Sequence, residues 1–325
     1  MKVTVKAIEY YLPPSTEDGD VLKSDNPEWR IEDIENKTGV KTRHIRNPGQ
    51  TATGMAGLAI EKLFASGLER ESVDFLILVT QSPEYVIPTS ACLLQDRLGL
   101  KKSCMAFDVN LGCSGFIYGM AIGGSLIESG LTERGIVVCS DTYTQYIDKA
   151  DRTCRPLFSD GAAAILISRS RSDALGPFEL GTDGSGFKNM MVPSNPSQTA
   201  DTEAREGHLF MDGSKLFMFT MDMVPKCVMA LLNKAGKTLK DVDLFIFHQA
   251  SKLVMDNITR RLELPQEKVF INYPRIGNTV SASIPIALKD AKNEKRLKNG
   301  DQVMLVGFGV GYSWGGCLLR WEDAS

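Results

Sequence analysis

Seven cysteines and three histidines are the side chains in this 325-residue sequence best suited to nucleophilic or acid–base chemistry, and their spacing narrows what they could do. The cysteines stand at 92, 104, 113, 139, 154, 227 and 317, an odd number with no Cys-x-x-Cys pair and no histidine at zinc-ligand spacing. Neither a disulfide framework nor a zinc site is expected. Cys113 has a distinctive setting: it lies in Gly112-Cys113-Ser114-Gly115, after a short apolar run and ahead of a small-and-apolar helical pattern over 116–129. A sulfur at a helix start meets backbone N–H groups and the positive end of the dipole, which should lower its pKa and favour the thiolate, the working nucleophile of cysteine enzymes. The alternative is a cysteine acting as a small buried hydrophobe. Among His44, His208 and His248, the last ends the most apolar strand of the second half, at the carboxyl edge where open parallel sheets hold their ligands. A core histidine bonded to backbone is the alternative there.

Sheet edges and glycine turns must position such residues, and the chain supplies them twice. The apolar run Phe75-Leu76-Ile77-Leu78-Val79 reads as a strand buried on both faces. Val242-Asp243-Leu244-Phe245-Ile246-Phe247-His248 repeats the pattern of Val73-Asp74-Phe75-Leu76-Ile77-Leu78-Val79 at an offset of 169 residues, which points to internal duplication. After each strand the spacing predicts a helix (89–98; 253–262), a second short strand (104–109; 269–273) and a glycine turn, the second turn being Gly277-Asn278-Thr279. A helix follows each turn, with Pro285 tolerable only in the first turn of the helix over 282–292. Strands over 135–139 and 303–307 close the two patterns. Alternating strands and helices predict parallel βαβ units and helix-covered sheets, an α/β fold of two pseudo-symmetric halves, 1–170 and 171–325. Residues 181–215, rich in Gly, Ser, Asn and Asp, read as a long connecting loop or lid.

Superposing the two turns sets Asn278 opposite Cys113, with His248 nearby. A thiol there could take an acyl group from a thioester while an imidazole N–H and an amide N–H stabilise negative charge developing on a carbonyl oxygen. Asn278 as a plain turn residue is the alternative.

Composition excludes several other roles. With 43% hydrophobic and 24% charged residues the chain is too apolar to be disordered, and at this length it would bury roughly 75% of its unfolded surface. The 37 Lys and Arg against 40 Asp and Glu give a net charge of −3, so no global basic field recruits nucleic acid. Local basic clusters, Lys41 with Arg43 and Arg46, and Lys252 with Arg260 and Arg261, could meet an acidic ligand or form solvated faces. The start of the chain lacks an apolar leader, and no stretch is expected to reach the ~18 apolar residues of a membrane span, so the expected location is cytoplasmic.

Five segments occur together in telling order: Ala106-Phe107-Asp108-Val109-Asn110-Leu111-Gly112-Cys113-Ser114-Gly115-Phe116; Asp151-Arg152 with Phe158-Ser159-Asp160-Gly161-Ala162; His248-Gln249-Ala250; Gly277-Asn278-Thr279; and Gly309-Val310-Gly311-Tyr312-Ser313-Trp314-Gly315. Over almost the whole chain they resemble the thiolase superfamily, and within it condensing enzymes of the 3-oxoacyl-acyl-carrier-protein synthase III type. The resemblance implies a thiolase-like fold in a layered αβαβα arrangement, with Cys113 in the first half and His248 and Asn278 in the second as a triad. It implies acyl transfer to Cys113, then decarboxylative Claisen condensation with a malonyl thioester, starting fatty acid synthesis or serving a specialised acyl or polyketide pathway. The backbone N–H groups of Cys113 and Val310 would form the oxyanion hole, and Phe158 would line the site. Ile87 would close the acyl pocket floor from the partner of a homodimer. Coenzyme A or phosphopantetheine thioesters would be substrates, an acyl carrier protein a partner, and no metal or redox cofactor would be needed.

Several positions depart from the family pattern. Asp33 stands where a tryptophan joins the arginine matched by Arg152 in clasping the adenine of coenzyme A, and Trp29 lies four residues earlier. Ser251 replaces an asparagine, Leu253 a basic residue and Met218 a lysine near the mouth, with Lys252 and Lys215 adjacent to the two lost charges. Val310 replaces a glycine, so a side chain is expected to intrude near the site, and Ile87 replaces a large aromatic, which predicts a somewhat deeper acyl pocket. Two other readings stand beside condensation: transfer of the acyl group to an oxygen or nitrogen nucleophile, and a non-catalytic acyl-carrier-binding protein.

Overall fold

Phe75–Val79 carries no polar side chain and can persist only with both faces covered; all five residues are buried. Full burial of Phe75 alone is worth roughly 1.5–3 kcal/mol. The computed structural model describes residues 1–199 and 203–322. It sets this strand in a five-stranded sheet of β1 (Val3–Tyr11), β2 (Phe75–Val79), β3 (Met105–Val109), β4 (Arg134–Asp141) and β5 (Gly161–Arg169), in spatial order β1-β5-β4-β2-β3. A second sheet contains β6 (Leu175–Thr182), β7 (Leu244–Phe247), β8 (Gln302–Gly309) and β9 (Ser313–Arg320), in order β7-β8-β9-β6.

The two sheets follow one plan. β2 is parallel to β4 as β7 is to β8, while β5 and β9 run antiparallel to the strands on both sides. The chain passes from one sheet to the other between Arg169 and Leu175. The expected parallel βαβ pairings are present, and the sheets are mixed: hairpin-like returns at β5 and β9 add antiparallel strands that a strand–helix alternation does not reveal. The strand expected over 269–273 is absent. Only an isolated bridge joins Phe245 to Val269, because Pro274 helps open a short helix at Tyr273–Ile276 instead.

Five layers result. Helices α1 (Ala52–Ala65) and α2 (Ser90–Arg97) cover the outer face of the first sheet; α3 (Gly115–Glu128) and α6 (Ser283–Asn293) lie between the sheets; α4 (Gly213–Ala235) and α5 (Lys252–Arg261) form the other outer layer. Pro285 falls in the first turn of α6, as its missing N–H requires. Close approach of α3 to the first sheet depends on Gly115 and Gly119: a Cβ would come within 2.4 Å of Val79 at the first and 2.9 Å of Val137 at the second. That contact carries the helix start, and with it Cys113, into the molecular centre.

Two further expectations are modified. The 181–215 stretch is partly regular, with a 3₁₀ turn at Gly184–Asn189 and an antiparallel pair of Met190–Met191 with Phe210–Met211; residues 200–202 lie outside the described residues. By length and apolar content α4 is long and apolar enough to cross a membrane, contrary to the sequence expectation that no stretch would be. Its inner side, including Phe219, Val224, Val228 and Leu231, packs on the second sheet, and Asp222 and Lys226 pair on its exposed side.

Candidate active site

Cys113 sits between β3 and α3, where Gly115 N–H donates to Gly112 O at 2.8 Å and closes the turn. Its side chain is only 4% exposed. Across the interface, Gly309 at the end of β8 leaves the space the sulfur occupies, since a Cβ there would lie 3.0 Å from Cys113 Sγ and 2.9 Å from its Cβ. Gly309→Ala is expected to slow acylation of Cys113 about 100-fold by displacing the nucleophile, with little change in melting temperature; single-turnover acylation beside a thermal melt checks this.

His248 follows β7 and donates its backbone N–H to Val306 O at 2.8 Å. The ring stands edge-on to Phe308, and Nδ1 lies 2.7 Å from Ser283 Oγ at the start of α6. Burial drives its pKa down to about 3, so the imidazole is neutral at physiological pH. Nδ1 can accept from the Ser283 hydroxyl, the arrangement in which the proton of the neutral ring resides on Nε2.

Asn278 occupies the second glycine turn, bridged to Phe158: its N–H donates to Leu157 O at 3.0 Å and its carbonyl accepts from Ser159 N–H at 2.9 Å. Its side-chain Oδ1 accepts from Val280 N–H at 2.9 Å, which leaves the amide Nδ2 without a protein acceptor among the described residues. Val280 adopts φ +54°, rare for a β-branched residue and costing about 1–3 kcal/mol. The strained turn aims the Asn278 amide.

Cys113, His248 and Asn278 share one cavity of about 1150 Å³, together with Phe158, Phe308 and Met190. Its mouth is bordered by Lys37, Arg152, Ser214, Met218 and Leu253. The structure brings Cys113, His248, Asn278 and Phe158 together on this one cavity. Sequence reasoning missed Ser283, Val280 and Phe308; none carries a motif signal, and all three lie in the second half, within which they contact Asn278 and His248.

The oxyanion-hole candidates are joined by a hydroxyl pair. Ser313 Oγ donates to Val310 O at 2.8 Å, so Ser114 Oγ is the donor in its 2.7 Å contact with Ser313 Oγ. The Val310 side chain packs against the apolar cluster around Cys113, close to the site; it lies toward Gly112, where a Cβ would come within 3.1 Å of its Cγ1, and is not part of the cavity wall.

The electrostatics correct a second expectation. Burial pushes the Cys113 thiol up to about 12, the negative charge of Asp141 acts in the same direction, and the N–H at the helix start pulls back only in part. Asp141 is itself raised to about 7 by burial, against hydrogen bonds from Ser281, Gln81 and Thr80. Desolvation outweighs the helix terminus, so the empty site holds a thiol. Alkylation of Cys113 by iodoacetamide is expected to accelerate about tenfold per pH unit from 6 to 9, because the thiolate fraction grows tenfold per unit below the pKa. Peptide mass spectrometry checks it, and a plateau near neutral pH would contradict it. Half-exposed Cys92, not Cys113, should label first at pH 7.

The mouth differs from expectation in detail. Arg152 is exposed and has no ion-pair partner among the described residues, so it remains available to an anionic group. Lys252 is engaged by Asp256, and Lys215 lies 3.6 Å from Asp212, so neither is an unencumbered replacement charge. Ser251 caps α5, its Oγ accepting from Val254 N–H at 3.3 Å. Trp29 is buried with Leu22 and Ile34 and cannot stack on an adenine at the mouth. Arg43 is no ligand patch either: it is buried, paired with Glu17, and donates to Phe158 O at 2.9 Å. Ile87 is 84% exposed and outside the cavity wall of its own chain.

Two like halves stacked in five layers, meeting over a cysteine, a histidine and an asparagine, define the class of thiolase-like condensing enzymes. Residues 107–184 match the profile of 3-oxoacyl-[acyl-carrier-protein] synthase III and residues 232–321 that of its C-terminal part. A beta-ketoacyl-[acyl-carrier-protein] synthase III of Natranaerobius thermophilus is 35% identical over 297 residues, covering 89% of this chain and 90% of that one. A solved 3-oxoacyl-(acyl-carrier-protein) synthase III superposes with a TM-score of 0.95 at 37% identity, over 99% of this chain and 100% of the other. The priming beta-ketosynthase of the R1128 polyketide biosynthetic pathway gives 0.90 at 28% identity, over 99% and 97%. The chain belongs to the 3-oxoacyl-acyl-carrier-protein synthase III family.

Proposed function

We propose that the chain condenses an acyl group carried on Cys113 with a malonyl thioester of an acyl carrier protein, releasing CO2 and a 3-oxoacyl thioester, in the initiation of fatty acid or polyketide synthesis. The observation that carries this reading is the placement of Cys113, His248 and Asn278 on one cavity.

In the first half-reaction Cys113 Sγ attacks the donor thioester carbonyl. The S–C bond to Cys113 forms, the bond to the donor sulfur breaks, and the Cys113 proton ends on the departing thiol. Backbone N–H groups of Cys113 and Val310 hold the transient oxyanion, with the Ser114–Ser313 pair setting their relative position. In the second, the malonyl C–CO2 bond breaks and its electron pair passes into the thioester as an enolate. His248 Nε2–H and Asn278 Nδ2–H donate to the enolate oxygen. The enolate carbon attacks the acyl-Cys113 carbonyl, the acyl–S bond breaks, and the thiolate takes up a proton again. Thioester activation and loss of CO2 drive the sequence, so it calls for no metal or redox cofactor.

Arg152 would meet a phosphate of the donor by a charge-assisted contact, and Ser251 borders the same entrance, with Lys252 beside it at the start of α5 as a further candidate. The exposed Tyr85, Val86 and Ile87 form an apolar loop suited to a second copy of the chain, consistent with a homodimer in which Ile87 reaches the partner's acyl site. Carrier-bound thioesters as substrates favour a cytoplasmic location. The test is intact-mass detection of Cys113 acylation from a panel of acyl-coenzyme A and acyl-carrier thioesters, before and after adding malonyl-carrier protein. An adduct discharged only with malonyl-carrier, with release of CO2, supports the reading; an adduct indifferent to it points to transfer onto another nucleophile.

A further inference from the structure

Asp141, the last residue of β4, is fully buried, and no step of the proposed chemistry uses its carboxyl group. Among the described residues no Lys, Arg or His side chain pairs with it; hydrogen bonds from both halves hold it instead. From the first half, Gln81 N–H donates to Oδ1 at 2.8 Å, and the Thr80 hydroxyl approaches the same oxygen at 3.4 Å. From the second, Ser281 donates to Oδ2 through its hydroxyl at 2.5 Å and its N–H at 3.3 Å. A carboxyl group buried without a counter-ion is costly, and it is kept here by donors that converge on it from two separate segments.

Each end of this clasp adjoins a reacting group. Gln81 Oε1 lies against Gly112, the residue before Cys113, within 2.5 Å of where a Cβ would stand. Ser281 sits in the 3₁₀ turn Val280–Ala282, just after Asn278. In that turn Val280, at φ +54°, donates its N–H to Asn278 Oδ1. A β-branched residue stays in the left-handed region only where its surroundings over-determine it, and the bonds to Asp141 fix the very next residue. The neighbouring Thr279 hydroxyl is buried and has no hydrogen-bond partner among the described residues, so Ser281 is the side chain that anchors this turn to the first half.

We infer that Asp141 is a positioning residue for the condensation: it clasps the two halves through Gln81 and Ser281 and so sets the Asn278 amide relative to Cys113. The inference rests on the proposed roles of Cys113 and Asn278, and Asp141 itself touches neither substrate nor the reacting atoms. The same carboxylate opposes ionisation of the Cys113 sulfur by its negative charge. Clasp and charge are separable by substitution. Ser281→Ala removes the hydroxyl arm and leaves the charge, whereas Asp141→Asn removes the charge and also weakens the clasp, because its amide offers one acceptor oxygen where Gln81 and Ser281 both donate.

The full-length variants are compared with wild type at pH 8.5, above the value of about 7 for Asp141, so that its carboxyl group is ionised. Three quantities are read: melting temperature, alkylation of Cys113 by iodoacetamide, and CO2 release from malonyl-carrier protein. For the last, Cys113 is first loaded from whichever acetyl, butyryl or octanoyl thioester, of coenzyme A or carrier protein, acylates wild type fastest. Both variants are expected to lower CO2 release about tenfold. Alkylation should rise at least threefold in Asp141→Asn and stay within twofold of wild type in Ser281→Ala, a split that loosened packing alone does not produce. Should Asp141→Asn not fold, Ser281→Ala decides by itself: CO2 release must fall while alkylation holds. Unchanged CO2 release in either folded variant, unchanged alkylation in folded Asp141→Asn, or alkylation that rises in Ser281→Ala overturns the inference and leaves acyl-Cys113 chemistry intact. Failure of wild type to load from any of these thioesters overturns the proposed function, and this inference with it.

Discussion

Cys113→Ala gives a folded chain that forms no acyl adduct with any thioester and loses condensation by on the order of 10⁴–10⁶-fold, the scale seen when a nucleophile is removed. The size of the loss follows from the surroundings. Of the other cysteines, 104, 139, 154, 227 and 317 are buried and Cys92 lies outside the cavity wall, so none can take over the acyl group there. Burial holds the thiols of Cys104, Cys139, Cys154, Cys227 and Cys317 above their ordinary pKa as well. The structural cost is small, about 1 kcal/mol for removing one buried sulfur, because the turn is held by its backbone bond and by the Ser114–Ser313 contact, both untouched. Intact mass after incubation with donor thioester, beside a urea melt, separates the two effects. An adduct persisting in the variant would place the nucleophile elsewhere.

His248→Ala and Asn278→Ala should behave differently from that variant and from wild type. Both keep Cys113 and should still acquire the acyl group, yet each lowers malonyl decarboxylation about 10²–10³-fold, the usual cost of one donor aimed at a developing oxyanion. The asymmetry arises because neither imidazole nor amide is needed to expel the donor thiol, whereas both point at the oxygen on which the enolate charge gathers. Burial holding His248 near a pKa of 3 means that its contribution does not titrate between pH 6 and 8. Measured ¹⁴CO2 release and acyl-enzyme mass, taken in parallel, check the prediction. Undiminished condensation in Asn278→Ala would remove it from the proposed role, and a failure to acylate would show that it acts on the first step as well.

Much of this arrangement was legible in the chain because it depends on local pattern. The matched runs Phe75–Val79 and Leu244–Phe247 announced two strands of one plan, since only a strand covered on both faces tolerates such uninterrupted apolar sequence. The two glycine turns, placed after equivalent strands, paired Cys113 with Asn278 before any contact was known. The resemblance to a family then supplied the chemistry.

What local pattern cannot express is desolvation and contact across the interface, and there the tertiary structure decided. A helix start beside Cys113 implies a lowered pKa, but the β8 edge closes over the sulfur, the Asp141 charge acts in the same direction, and burial prevails. A valine at 310 implies a side chain near the site, and the tertiary structure decides where it goes: against the Cys113 cluster and toward Gly112, outside the cavity wall. Lys252 reads as a free replacement charge until its helix places Asp256 one turn away. Ser283 and Val280 have no motif at all: Ser283 reaches His248 only when α6 packs beside β7, and Val280 holds Asn278 through a turn whose conformation residue type does not announce. Residue type and spacing determined which groups could react; the burial that sets the protonation of Cys113 and His248, and the contacts across the seam and with Ser283, arise between segments distant in the chain, where periodicity carries no information.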